Sequence, residues 1–271
     1  MTRLISYVSV GTGAPVLALH GLGGDHNQML GLIGESAGRR VIAADLPGHG
    51  DTDLSDTEPV SYPAFAKLAA ELLDNLRAAG DITGPIPVIG VSMGAGIALR
   101  LAATRPDLVR QLILIRPAYL IESLPPHQRI FPLIGHLLQT LGAHEGAKAL
   151  QRTPEYKRLA EEAPAMAKSV LGQFQRPKAV ERARVLIELP SSAPLDDKAA
   201  YRTIQAPAVV IGAPQDPVHP EQVARVLASW LRQATYELVP RKMVDPSEHD
   251  AAVRDLVRRS LQEPSPTEPS P

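Results

Sequence analysis

The chain contains no cysteine in its 271 residues, which excludes disulfides, a thiol nucleophile and any metal site built on sulfur. Neither sign of charge predominates. The formal net charge is -1, and no basic cluster supplies the footprint that nucleic acid or an anionic membrane surface requires. No uninterrupted apolar run reaches the length of a membrane span, and no internal repeat is present. The opening residues Met1-Thr2-Arg3-Leu4-Ile5-Ser6-Tyr7 alternate like a strand. They show no charged region, apolar block or cleavage site of a secretion signal, so a cytoplasmic protein is expected.

What the chain does have is apolar material. At 44% hydrophobic content, it can bury a sizeable core, as one large α/β domain with an insertion. Apolar strand-like runs cover Leu4 to Val10, Val16 to Leu19, Arg40 to Ala44, Ile86 to Val91 and Gln111 to Ile115. Between them Phe65, Leu68, Leu72 and Leu76 recur at helical spacing, which predicts an amphipathic helix entered at Ser61. A second helix is predicted from Met93 to Ala103. Strands alternating with helices read as a mostly parallel sheet covered on both faces.

After Pro117 the pattern changes. Residues 118–200 lack strand-like runs and carry helical stretches punctuated by prolines, at Leu133 to Leu141, Tyr156 to Ala163 and Ala165 to Phe174. Alternation then resumes with a strand at Ala208 to Gly212, a helix at Glu221 to Trp230, a strand at Tyr236 to Val239 and a helix at Ser247 to Leu261. The proline-rich residues 264–271 cannot form a core, and disorder is expected there.

The run Pro87-Val88-Ile89-Gly90-Val91-Ser92-Met93-Gly94-Ala95-Gly96 places a Gly-x-Ser-x-Gly core between a strand and a helix. A serine on so sharp a turn needs neighbours with almost no side chain, which Gly90 and Gly94 provide. The turn lifts the Ser92 hydroxyl into open space. The backbone N–H of Met93, at the helix start, points where an oxyanion would form.

With these residues and their order, the chain resembles the α/β-hydrolase fold superfamily, in its serine-hydrolase form with a helical cap. The resemblance implies a core at 1–117 and 201–263, an inserted helical cap at 118–200 and a tail at 264–271. His20-Gly21-Leu22-Gly23-Gly24 is similar to the oxyanion loop of that family, making the N–H of Leu22 the second donor beside Met93. Asp45-Leu46-Pro47-Gly48-His49-Gly50 resembles the tight turn beside the family's active site, a structural role. Asp216, after the strand Ala208 to Gly212, stands at the position of the family's catalytic acid.

The histidine departs from the pattern. Most relatives carry a Gly-His after the last strand; here that stretch reads Pro240-Arg241-Lys242-Met243-Val244-Asp245-Pro246-Ser247-Glu248-His249. His249, the only histidine beyond that strand, is the first candidate for the base, although a helix N-terminus disfavours the imidazolium that catalysis creates. His219 ranks lower because it lies in the same loop as Asp216, with His127 and His136 below it; a chain with no catalytic histidine also stays open.

The expected chemistry is acyl transfer to Ser92 followed by hydrolysis, on a small, mainly apolar ester or lactone. It needs no metal and no organic cofactor. A serine nucleophile argues against the haloalkane dehalogenase and epoxide hydrolase branches of this fold. Phe131, Met166 and Phe174 are expected to line the substrate pocket, and Arg129, Lys168 or Arg176 could meet a single carboxylate. Two other readings remain: a catalytically reduced protein that binds or rearranges a hydrophobic small molecule, and an acyltransferase.

Overall fold

The computed structural model describes residues 4–33 and 38–262. The tail expected to be disordered, 264–271, lies outside the described residues. Seven strands form one sheet in the order β1-β3-β2-β4-β5-β6-β7. They are β1 (Tyr7–Gly11), β2 (Ala14–Leu19), β3 (Arg39–Ala44), β4 (Ile86–Val91), β5 (Val109–Ile115), β6 (Ala208–Gly212) and β7 (Ala234–Leu238). Only β1 runs antiparallel, at the edge beside β3; every other pairing is parallel.

Alternation along the inner strands divides the core in two. In β2, Leu17 and Leu19 face one layer and Val16 and Ala18 the other; in β5, Leu112 and Leu114 oppose Ile113 and Ile115. Both faces are buried, so these strands read as continuous apolar runs. Each fully buried Leu or Ile contributes roughly 1.5–3 kcal/mol of transfer free energy.

Helices α2 (Tyr62–Ala78) and α3 (Met93–Thr104) cover the first layer, while α1 (His26–Ile33) and α10 (Pro246–Gln262) cover the second. The Ser61 hydroxyl accepts the Ala64 N–H at 3.2 Å, capping α2 where the sequence predicts its entry. Helix α1 was not expected: its apolar pattern is only two turns long, too short to stand out from the loop around it.

Between β5 and β6 the chain forms α4 (Ile130–Arg152), α5 (Pro154–Glu162), α6 (Pro164–Leu171) and α7 (Ala183–Glu188), then α8 (Lys198–Thr203). Helix α4 is longer than the apolar pattern predicts and kinks at Gly142, whose φ is 72°. Helices α4 to α7 hold a separate buried cluster including Phe131, Ile134, Leu138, Met166 and Phe174. Val218, from the loop after β6, joins this cluster, and Leu22 packs against it. The Gln128 side-chain amide donates to the Val218 carbonyl at 2.6 Å. The helical unit is therefore fastened to both loops that flank Ser92. Helix α9 (Glu221–Trp230) then connects β6 to β7.

Candidate active site

Ser92 sits between β4 and α3 with φ 51° and ψ -108°, a conformation that costs free energy and persists only where packing enforces it. The enforcement is visible at its neighbours. A Cβ on Gly90 would stand 2.2 Å from the Gly94 carbonyl oxygen, and one on Gly94 would stand 2.1 Å from that of Leu19. The Ser92 N–H donates to Ile115 of β5 at 2.9 Å, tying the turn to the neighbouring strand. Met93 occupies the first position of α3, where a helix N–H has no intrahelical acceptor.

The loop after β6 brings both remaining polar groups to this serine. Gln215 has φ 56°, and one Asp216 oxygen accepts the N–H groups of Val218 at 3.1 Å and His219 at 3.0 Å. This tight turn folds residue 219 back over residue 216. The His219 Nδ1 then lies 3.0 Å from the other Asp216 oxygen, while its Nε2 lies 2.8 Å from Ser92 Oγ. A neutral imidazole with its proton on Nδ1 satisfies both contacts, donating to the carboxylate and accepting from the hydroxyl.

With that geometry established, similarity to known proteins places the chain. A family model described as alpha/beta hydrolase fold matches residues 14–250. The chain belongs to the α/β hydrolase fold family. It is 37% identical over 111 residues to lipase LipV of Mycobacterium tuberculosis, which covers 41% of this chain and 40% of the lipase. It is 36% identical over 129 residues to the dihydrolipoyllysine-residue acetyltransferase component of the acetoin cleaving system of Pseudomonas putida, covering 45% of this chain and 32% of that protein. The chain thus spans well under half the length of these curated relatives. Among solved structures, an esterase from Thermogutta terrifontis superposes with a TM-score of 0.71 at 21% identity, covering 94% of this chain and 93% of that one.

Within this α/β hydrolase, the histidine beside Ser92 is His219, not His249. His249 does lie in the first turn of α10, as predicted, but its Nδ1 donates to the Pro240 carbonyl at 2.8 Å. The side chain is sealed at 1% exposure, and its Nε2 is buried without a partner. The loop between β7 and α10 holds the ring down, so it does not reach the serine. The sequence argument against His219, its nearness to Asp216, fails because the turn at Gln215 and Asp216 lets side chains three residues apart converge. His127 instead meets the Ala118 carbonyl at 2.7 Å, and His136 is exposed on α4.

Arg116 is a participant that sequence reasoning missed. It has φ 47° at the end of β5, and its guanidinium donates to Asp216 at 2.9 Å on the same oxygen that meets His219. No local signal could reveal this pairing, because the partners lie a hundred residues apart. Burial pushes the Asp216 carboxyl up, but His219 and Arg116 outweigh it, so the group titrates below the usual carboxylate range. His219 moves below the ordinary histidine value: burial dominates, Asp216 opposes it and Arg116 reinforces it. The imidazole is therefore neutral near pH 7, the form that accepts a proton.

The loop carrying Leu22 is braced by two more histidines. His20 is fully buried; its Nδ1 donates to the Gly21 carbonyl at 2.8 Å, and its Nε2 accepts the Leu46 N–H at 3.1 Å. His49 accepts the Gly23 N–H at 3.1 Å and donates to the Pro47 carbonyl at 3.0 Å. Burial lowers His20 to about 4 and His49 well below its usual value, keeping both neutral in these roles. Asp45 accepts the His26 backbone N–H at 2.7 Å, its Nδ1 at 2.9 Å and the Asp51 N–H at 2.9 Å. Among the described residues His26, Asp45 and Asp51 are the one group spaced to hold a metal ion, but these hydrogen bonds already occupy the Asp45 carboxylate.

The three apolar residues expected to line the pocket are buried in the core of the helical unit. Phe131, Met166 and Phe174 are at most 7% exposed and pack against one another inside the helical unit. A group of helices standing on a sheet needs its own core, and these are among its largest buried apolar side chains. Among the described residues, no helix is long and apolar enough to cross a membrane.

Proposed function

We propose that the protein is a serine hydrolase of small carboxylic esters, working through an acyl-enzyme on Ser92. The observation that carries the reading is the continuous chain of contacts from Ser92 Oγ through His219 to Asp216, at 2.8 and 3.0 Å. His219 Nε2 takes the hydroxyl proton as Oγ attacks the ester carbonyl, and the N–H groups of Leu22 and Met93 stabilise the resulting oxyanion. Asp216 holds the Nδ1 proton and offsets the imidazolium charge. Collapse of the intermediate expels the alcohol, which takes the proton from Nε2. Water then attacks the acyl-enzyme with His219 again as base, returning Ser92 and a free acid. No step requires a metal or an organic cofactor.

Helices α4 to α7 act in this reading as the cap over the site, since they are anchored to the loops of Leu22 and Val218. The Mycobacterium tuberculosis relative, a lipase, supports ester chemistry. A catalytically reduced binder was suggested by the missing Gly-His after the last strand, and His219 removes that reason. The test is labelling with a fluorophosphonate followed by peptide mapping. Stoichiometric modification of Ser92 that disappears in Ser92→Ala supports the proposal; an unlabelled wild type that also turns over no ester sinks it.

A further inference from the structure

A cavity of about 680 Å³ opens beside the oxyanion loop, between Gly23–Asn27, the turn at Gly48–Asp51 and the segment Gln173–Arg182. That volume suits a small organic ligand. Ser92 lies outside its lining, across Gly21 and Leu22. Its walls mix polar and apolar groups, and three cations, Arg176, Lys178 and Arg182, face it together with Asp25, Asp51 and Asp53.

Two of these cations are already engaged. Lys178 pairs with Asp53 at 2.8 Å, and Arg182 donates to the Gly50 carbonyl at 2.8 Å with Asp53 at 3.9 Å. Arg176 differs. Its guanidinium donates to the neutral Gln173 side-chain oxygen at 2.9 Å, and it forms no ion pair among the described residues. Asp25, whose charge it feels, is turned to the N–H groups of Asn27 and Gln28 at the start of α1. Arg176 is partly buried, and burial lowers it to about 10 against the opposing charge of Asp25. A partly desolvated cation with no carboxylate in direct contact favours an anion that can reach it.

Arg176 also stands close to the chemistry. A Cβ on Gly23 would lie 2.5 Å from one of its guanidinium nitrogens, and Gly23 directly follows Leu22, the proposed oxyanion donor. Consecutive Cα atoms are about 3.8 Å apart, so a ligand group held on Arg176 lies a short chain away from a carbonyl at the serine. A carboxylate matches a guanidinium in charge and in forked geometry.

We propose that this cavity binds a free carboxylate on the substrate, with Arg176 as its counterion, making the preferred esters half-esters of short dicarboxylic acids. The inference rests on the ester-hydrolase reading of Ser92 and replaces the mainly apolar substrate expected from the sequence.

The test compares monomethyl succinate with dimethyl succinate on wild type, Arg176→Gln and Arg176→Lys. The wild type should favour the half-ester, and the charged-to-neutral ratio of kcat/KM should fall at least about tenfold in Arg176→Gln, the loss expected for one charge-assisted hydrogen-bonded contact. Arg176→Lys should fall between them. Because the ratio is taken within one preparation, a lowered folded fraction cancels. A wild type without preference, or a ratio unmoved by Arg176→Gln, overturns the proposal. Calorimetry with succinate separates this from the reading of Ser92. Ser92→Ala should bind succinate and Ser92→Ala/Arg176→Gln should not; absence of binding in the single variant overturns the carboxylate site, whereas binding without Ser92 labelling in wild type overturns only the hydrolase mechanism.

Discussion

His219 Nε2 lies 2.8 Å from Ser92 Oγ, while the histidine at the start of the last helix is bonded to Pro240 and buried. On the proposed reading, the base stands in the loop of its own acid and not beyond the last strand. Asp216 and His219 belong to a single turn, so their separation is fixed locally, and only Ser92 must be delivered by the rest of the fold.

This arrangement separates the two histidines by mutation. His219→Ala and Ser92→Ala should each reduce kcat by at least about a thousandfold, as removal of a nucleophile or its base does. His249→Asn should keep kcat within a few-fold while lowering the melting temperature. Steady-state kinetics and thermal melts on the three variants check this, and a silent His219→Ala would contradict the geometry.

The pH profile should follow His219. Its protonated form cannot accept the serine proton, so kcat/KM should fall as pH drops through the histidine's pKa. Burial and Arg116 hold that value below 6.5, so the acid limb should lie below the ordinary histidine range. Arg116→Met removes a nearby positive charge, which makes the imidazolium easier to form. Its acid limb should therefore move to higher pH. An unmoved or lowered limb in this variant would show that Arg116 does not act on the imidazole.

Gly94→Ala tests the strained turn. The added methyl would meet the Leu19 carbonyl oxygen at 2.1 Å, a backbone atom that cannot rotate away. The variant should lose roughly 3 kcal/mol or more, within the range of severe core disruption. Gly31→Ala is the control, because a Cβ there meets nothing within 4 Å. Chemical denaturation of both should show the first transition shifted strongly and the second unchanged or slightly raised.

Most of the fold was legible in the sequence because both faces of the inner strands are buried, which leaves uninterrupted apolar runs such as Pro87 to Val91. The turn that carries Ser92 was legible for a related reason: a strained turn demands glycines at fixed spacing, and Gly90 and Gly94 stand where a side chain would collide. The place of Asp216 in the loop after a strand was legible in the same way. These are local or periodic constraints, and local constraints are written in consecutive residues.

Tertiary structure decided the rest. Whether Arg116 meets Asp216, whether Phe131 and Phe174 line a pocket or fill a core, and which imidazole approaches Ser92 all depend on distances between segments far apart in the chain. A left-handed residue at Gln215 and a carbonyl at Pro240 choose between two histidines that composition and order alone leave in competition. Residue types set which groups can react; the packed backbone sets which of them touch, because a few ångströms separate a proton acceptor from a buried spectator.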